Sequence, residues 1–128
     1  MIRAALLLLA CQACTSAFAQ NSATFVCGGV GDADQKAIKA QAPQHHLMLT
    51  FALSSGAYLA DVDVQIRDSK GATVLSTRCG GPIMLVDLPS AGTWNVTAQS
   101  NGQTRQKQIT AGSGKPVQAT FTWPAGTS

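Results

Sequence analysis

The character of this fold is decided by residues 93–102, which read TWNVTAQSNG. The apolar side chains of Trp94, Val96 and Ala98 alternate with polar ones, and this period of two is typical of a strand with one buried and one solvated face. The Asn-Gly pair at the end of the stretch predicts a type I′ hairpin, because both central residues of that turn need positive φ. The stretch therefore predicts a strand that enters a tight antiparallel hairpin.

The same alternation recurs from residue 46 onward. Turns rich in Gly, Pro, Asp and Asn separate the alternating segments at short intervals, and no crossover helices lie between them. We therefore predict an all-β fold, a seven-stranded antiparallel β-sandwich with one short N-terminal helix. The predicted strands cover about residues 46–53, 58–67, 72–79, 83–88, 93–99, 103–110 and 117–123.

The parity and composition of these strands predict which residues are buried. Strands 72–79 and 83–88 are more continuously apolar than the others, so we expect both to lie centrally in a sheet. The side chains expected to face the core through their parity include Tyr58, Ala60, Val62, Trp94 and Trp123.

The predicted strand 103–110 is polar on both faces and carries Arg105 and Lys107. This composition is typical of a strand at the edge of a sheet. Such an edge could accept an added strand from a partner, but basic residues there also discourage pairing between sheets. The protective interpretation is favoured.

A short helix is predicted shortly after Cys27. Asp32 is the expected N-cap, residues 33–41 hold good helix formers, and Pro43 ends the helix. Apart from alanines, only Ile38 is apolar, so we expect this helix to cover a surface without building a core.

The N-terminal residues have the pattern of a secretory signal peptide. Arg3 supplies the positive charge, residues 4–10 form an apolar segment, and residues 17–19 (AFA) predict cleavage before Gln20. The predicted organisation is a signal peptide over 1–19, an N-terminal extension with the short helix over 20–44 and a β-sandwich domain over 45–128.

This signal predicts a periplasmic or secreted protein without a transmembrane span. The alternative is a lipid anchor, because residues 8–11 (LLAC) resemble a bacterial lipobox that would place the lipid on Cys11. That alternative leaves the cleavage pattern at residues 17–19 unexplained, so soluble export is favoured.

The cysteines predict one disulfide. Cys11 and Cys14 leave with the signal peptide, and Cys27 and Cys79 remain as an even pair. Paired cysteines in a small exported domain are typically bonded. The alternatives are two free thiols or a metal pair, and the sequence shows no further ligands near them.

Two segments resemble a known family. Residues 57–71 (AYLADVDVQIRDSKG) resemble the first hairpin of carboxypeptidase regulatory-like domains, in which a Val-x-Val-x-Ile strand enters an Asp-x-x-Gly turn. Residues 88–98 (LPSAGTWNVTA) are similar to their Leu-Pro-x-Gly-x-Tyr-x-Val block, with Trp94 in place of Tyr and one extra residue before the glycine. The resemblance covers about residues 45–123 and implies a seven-stranded transthyretin-like (prealbumin-like) sandwich, a fold that serves mostly as a non-catalytic attachment or exported module.

Composition and motifs argue against several functions. The net charge is only +3 and no run of Lys or Arg exists, which disfavours nucleic acid as a partner. The sequence has no Gly-x-Ser-x-Gly elbow, and both remaining cysteines are assigned to the disulfide. We therefore predict a protein that is not an enzyme, needs no cofactor and is a monomer.

The alternative function is periplasmic binding of a copper-type metal. His46 and Met48 share one face of a predicted strand, and a His-x-Met pair could hold a soft metal, with a third ligand such as Met84 supplied from elsewhere. Ordinary polar residues at a strand start explain the same pattern and are favoured. Asp61 and Asp63 are likewise interpreted as the polar half of a strand.

The candidate interaction surface lies at the glycine-rich segment before the predicted helix. The disulfide would attach this segment to the sandwich, and glycines at a helix start can offer backbone groups to a ligand. The expected partner is an envelope protein or a glycan. The predicted surface residues are Gly28, Gly29, Gly31 and Asp32, beside Gly80 and Gly81 of the turn after the second cysteine.

Overall fold

A computed structural model describes residues 22–125 of the chain, which hold eight strands, one α-helix and one 3₁₀ turn. The elements in chain order are β1 (Thr24–Gly28), α1 (Asp32–Gln41), the 3₁₀ turn (Ala42–Gln44), β2 (Leu47–Leu53), β3 (Val62–Arg67), β4 (Thr73–Cys79), β5 (Ile83–Asp87), β6 (Gly92–Ser100), β7 (Gln103–Ala111) and β8 (Val117–Trp123).

The strands form two four-stranded sheets that pack as a sandwich. Sheet A has the order β1-β5-β2-β8 and sheet B the order β4-β3-β6-β7. The prediction of an all-β sandwich is therefore confirmed, but the strand number is eight and not seven. The missed strand is β1, whose buried and exposed positions do not alternate and which is held by its pairing with β5. The prediction of a purely antiparallel fold was also wrong, because β2 and β8 pair in parallel.

The main core lies between the two sheets. Trp94 and Trp123 are both buried in it, as their parity predicted. Phe51 lies at the centre of an aromatic group, with ring centroids 6.0 Å from Phe121 and 6.4 Å from Trp123.

A second, smaller core lies on the outer face of sheet A, under α1. Because β5 is covered on both faces, Ile83, Met84, Leu85 and Val86 are all buried, which explains its continuous apolar sequence. The expectation that α1 builds no core was therefore wrong in part: it buries little besides Ile38, yet that side chain completes this cluster. The members are Ile38, Ala42, Met48, Ile83 and Leu85.

Of three predictions about position within the sheets, two are confirmed and one is wrong. β5 and β7 lie where the sequence placed them, inside sheet A and at the edge of sheet B. The prediction for β4 was wrong, because β4 is the other edge strand of sheet B. Its alternating exposure fits that position better than a central one.

The segment before β3 crosses from one sheet to the other, and the predicted parity fails there. Tyr58 bridges Ala52 of sheet A, whereas Val62 already pairs in sheet B. Asp61 makes the crossing in a left-handed conformation with φ of 60°, which Asp adopts more readily than most residues. As a result Leu59 is buried in place of Tyr58, which is 42% exposed. Ala60, also expected inside, is exposed.

The open sides of the sandwich are bridged between the sheets. On one side a disulfide joins Cys27 of β1 to Cys79 of β4, with their Cα atoms 5.6 Å apart, so the predicted pairing is confirmed. On the other side Arg105 Nε of β7 donates to the Thr122 carbonyl of β8 at 2.9 Å. Among residues 22–125 no helix combines the length and the apolar composition that crossing a membrane requires.

Candidate binding surface

The glycine segment after β1, residues 29–31, is held by its backbone conformation and by a hydrogen bond to α1. Gly29 and Gly31 have φ of 96° and 86°, a backbone conformation that residues other than glycine rarely adopt. The Gly29 N–H donates to Asp34 Oδ2 at 2.5 Å, which ties the loop to the first turn of α1. The helix begins at Asp32, so its N-cap is Gly31 and not Asp32 as predicted. No side chain caps this helix. The carboxylate of Asp34 in the first turn bonds the loop backbone at Gly29 instead.

The two segments that the sequence assigned to one surface lie against each other. The carbonyl of Gly28 touches the backbone of Gly81 so closely that a Cβ at position 81 would overlap it. Each glycine closely follows one of the bonded cysteines, so the disulfide and the glycine contact fasten the same corner of the sandwich. The geometry at this corner is rigid as a consequence.

A shallow hollow of about 190 Å³ lies beside this corner. Val30 and Tyr58 are its most prominent apolar side chains and are 69% and 42% exposed. The Tyr58 hydroxyl accepts a hydrogen bond from Lys39 Nζ at 3.2 Å, which links the ring to α1. The complete lining is Gly29, Val30, Gly31, Gln35, Tyr58, Ala60 and Pro82. We call this set the Val30–Tyr58 hollow.

The predicted surface residues divide into three groups around the hollow. Gly29 and Gly31 line it, and Gly28 and Gly81 form the adjacent backbone contact. Asp32 and Gly80 are exposed and are not part of its lining.

Sequence reasoning missed the contributions of Tyr58 and Ala60. Both were assigned to the core because their parity matches that of β3. The parity changes at Asp61, where the chain passes between sheets, and no local pattern marks that passage. Pro82 is brought to the hollow only by the contact between the two glycine segments.

The residues of the metal hypothesis are dispersed. His46 Nδ1 accepts the backbone N–H of Leu88 at 2.9 Å. Met48 is buried in the outer cluster under α1, whereas Met84 faces the core between the sheets. The two methionines therefore lie on opposite faces of sheet A. Residues 22–125 contain no cluster of three or more His, Cys, Asp or Glu side chains placed to hold a metal ion.

Of the paired aspartates, only Asp63 makes a salt bridge, and His45 at the start of the predicted sandwich domain contacts a carboxylate. Asp61 precedes β3, so it does not share a strand face with Asp63 as the sequence predicted. Asp63 Oδ1 instead accepts from Arg78 Nε at 3.0 Å across β3 and β4. This hydrogen bond, and then the charge of the same carboxylate, raises the pKa of Arg78 above its ordinary value. His45 Nδ1 lies 2.8 Å from Asp87 Oδ2.

Comparison of the chain with models of known protein families and with curated proteins finds no match. The likeness to carboxypeptidase regulatory-like domains therefore stays a prediction from residues 57–71 and 88–98.

Proposed function

We propose that this protein is an exported, non-catalytic β-sandwich module that acts as a binding or structural accessory at the bacterial cell envelope. Its partner is an envelope protein that docks on the Val30–Tyr58 hollow. The export pattern of residues 1–19 and the resemblance to carboxypeptidase regulatory-like domains support this proposal. A disulfide between Cys27 and Cys79 is also typical of an oxidising compartment.

The exposure of Val30 is the observation that carries the proposal. It is 69% exposed at the centre of a loop whose backbone is fixed by glycine conformations, an Asp34 hydrogen bond and the adjacent disulfide. Val30 and the ring of Tyr58 together present apolar surface to solvent beside this fixed backbone. A partner that covers it would gain the free energy of apolar burial without first having to order the loop.

The chemistry of the hollow favours binding over catalysis. Tyr58 is the only side chain in its lining that can exchange a proton, and its hydroxyl is already engaged by Lys39. General acid–base catalysis needs a titrating group within reach of the substrate and poised near the working pH. A lining of glycine backbone and mostly apolar side chains suits a protein surface better than a sugar, which needs several polar contacts.

Site-specific photocrosslinking in cells tests this proposal. A photoreactive amino acid replaces Val30 in one variant and Thr104, which is exposed on the outer face of sheet B, in a matched control. We expect position 30 to capture one defined envelope protein and position 104 to capture none of it.

A second measurement separates docking from chance proximity. Val30→Ser in the purified protein should weaken binding of the captured partner about tenfold, because burying a valine contributes about 1.5 kcal/mol or more. Equal capture from positions 30 and 104 would show that the hollow is not the contact surface. A carbohydrate adduct at position 30 would replace the protein partner by a glycan.

A further inference from the structure

A second surface lies where the edges of the two sheets diverge, between β7 and β8. The groove there has a volume of about 480 Å³, within the range of ligand-binding clefts. It shares no residue with the Val30–Tyr58 hollow. Its lining is Ser54, Arg105, Gln106, Lys107, Thr120, Phe121, Thr122, Trp123 and Pro124.

The β8 edge presents backbone groups toward this groove. The Val117 N–H donates to a carbonyl on the β2 side, whereas the Thr122 carbonyl points the other way and accepts from β7. Because successive residues of a strand direct their N–H and C=O groups to opposite sides, Gln118 and Thr120 share the orientation of Thr122. Their backbone groups therefore lie along the open edge, where β8 has no neighbouring strand in its sheet.

β8 itself carries none of the usual protection of an edge strand. Residues 117–123 contain no charged residue and no proline, and the strand is rich in β-forming side chains. All the charge in the groove comes from β7. Arg105 and Lys107 are in register with Ala98 and Val96, so they project on the inner face of sheet B, toward β8.

The electrostatics of the groove are one-sided. Lys107 Nζ lies 5.7 Å from the centroid of the Phe121 ring, and Arg105 Nε reaches Thr122 at 2.9 Å. No acidic residue is part of the lining. The Arg105 guanidinium has further N–H donors beyond Nε that suit a carboxylate.

We propose that this groove binds an extended acidic peptide segment of a partner protein, added as a further strand to β8. The backbone of the segment pairs with Gln118 and Thr120, and its carboxylates contact Arg105 and Lys107. The cations determine which occupant fits. Two copies of this chain paired through β8 would bring four cations together, whereas an acidic strand neutralises them.

Fluorescence anisotropy with a labelled peptide of alternating Glu and Val tests the charge requirement on the exported protein. We expect saturable binding, no binding of the matching Lys and Val peptide, and about tenfold weaker binding to Arg105→Gln/Lys107→Gln. The control Lys36→Gln/Lys70→Gln removes the same charge from exposed sites elsewhere and should bind as the native protein does. Absence of binding to the acidic peptide, or an equal loss in both double variants, would overturn the proposal.

The requirement for strand addition is tested separately. Thr120→Pro removes an N–H that faces the open edge, so the hydrogen bonds from β8 to β2 are kept. This variant should lose peptide binding, while its unfolding in urea stays cooperative. A peptide N-methylated at every residue has no N–H left to donate in any register, so it should also fail to bind the native protein, which covers the case in which Thr120→Pro does not fold. Binding that survives N-methylation would mean charge attraction without a paired strand, and would refute the proposal. The hollow takes no part in these measurements, so this inference and the proposed function can fail independently.

Discussion

Removal of the disulfide between Cys27 and Cys79 should lower the free energy of unfolding. In the double variant Cys27→Ala/Cys79→Ala the loop between residues 52 apart in sequence is no longer closed. The chain-entropy relation for a loop of this length gives about 4 kcal/mol of lost stability. That loss is large beside the total of about 5–15 kcal/mol typical of a small domain.

The structure also indicates where the loss is felt first. β1 is an edge strand of five residues that pairs only with β5. Without the disulfide, its remaining tie to sheet B includes one backbone hydrogen bond, from the Ala23 N–H to the Val74 carbonyl at 3.0 Å. We therefore expect hydrogen exchange at residues 24–28 to accelerate more than exchange in β6.

Urea unfolding monitored by tryptophan fluorescence measures the global effect, because Trp94 and Trp123 are both buried. The native protein serves as the reference under oxidising and reducing conditions, and the reduced form should resemble the double variant. A loss below about 1 kcal/mol, with the native disulfide shown to be intact, would refute the argument from loop closure.

Two further changes test the corner and the second core through the free energy of unfolding. Gly81→Ala should destabilise by about 2 kcal/mol or more because its Cβ meets the Gly28 carbonyl, whereas Gly80→Ala, with open space around its Cβ, should change stability by less than about 0.5 kcal/mol. Ile38→Ala should cost about 2–4 kcal/mol because the side chain is 4% exposed in the cluster under α1, while Lys36→Ala on the exposed side of that helix should be nearly neutral. Equal effects within either pair would contradict the packing that we describe.

Most of the strands could be predicted because their buried and exposed positions alternate within single segments. Residues 117–123 match β8 and residues 103–110 fall one residue short of β7. β1 escaped prediction because its buried and exposed positions do not alternate, and its stability comes from β5 and a disulfide. β4 was placed centrally because apolar content was taken for burial on both faces.

The candidate surface shows the same division. The meeting of the two glycine segments followed from the cysteine pair, because a covalent link requires its neighbours to be close. The place of Tyr58 did not follow, since its exposure depends on a change of sheet at Asp61. Parity is a local property, and it is lost wherever the chain leaves one sheet for another.

The β-class of the fold, the cysteine pairing and the edge position of β7 follow from the sequence, because periodicity, cysteine number and polar composition are local or countable. The packing of the two sheets places Arg105 and Lys107 on the inner side of that edge, over β8, which no local pattern indicates. The tertiary structure also decided that Val30 and Tyr58 share one hollow. Both outcomes depend on which strands become neighbours across the sandwich, and that choice minimises the free energy of the whole chain and not of any one segment.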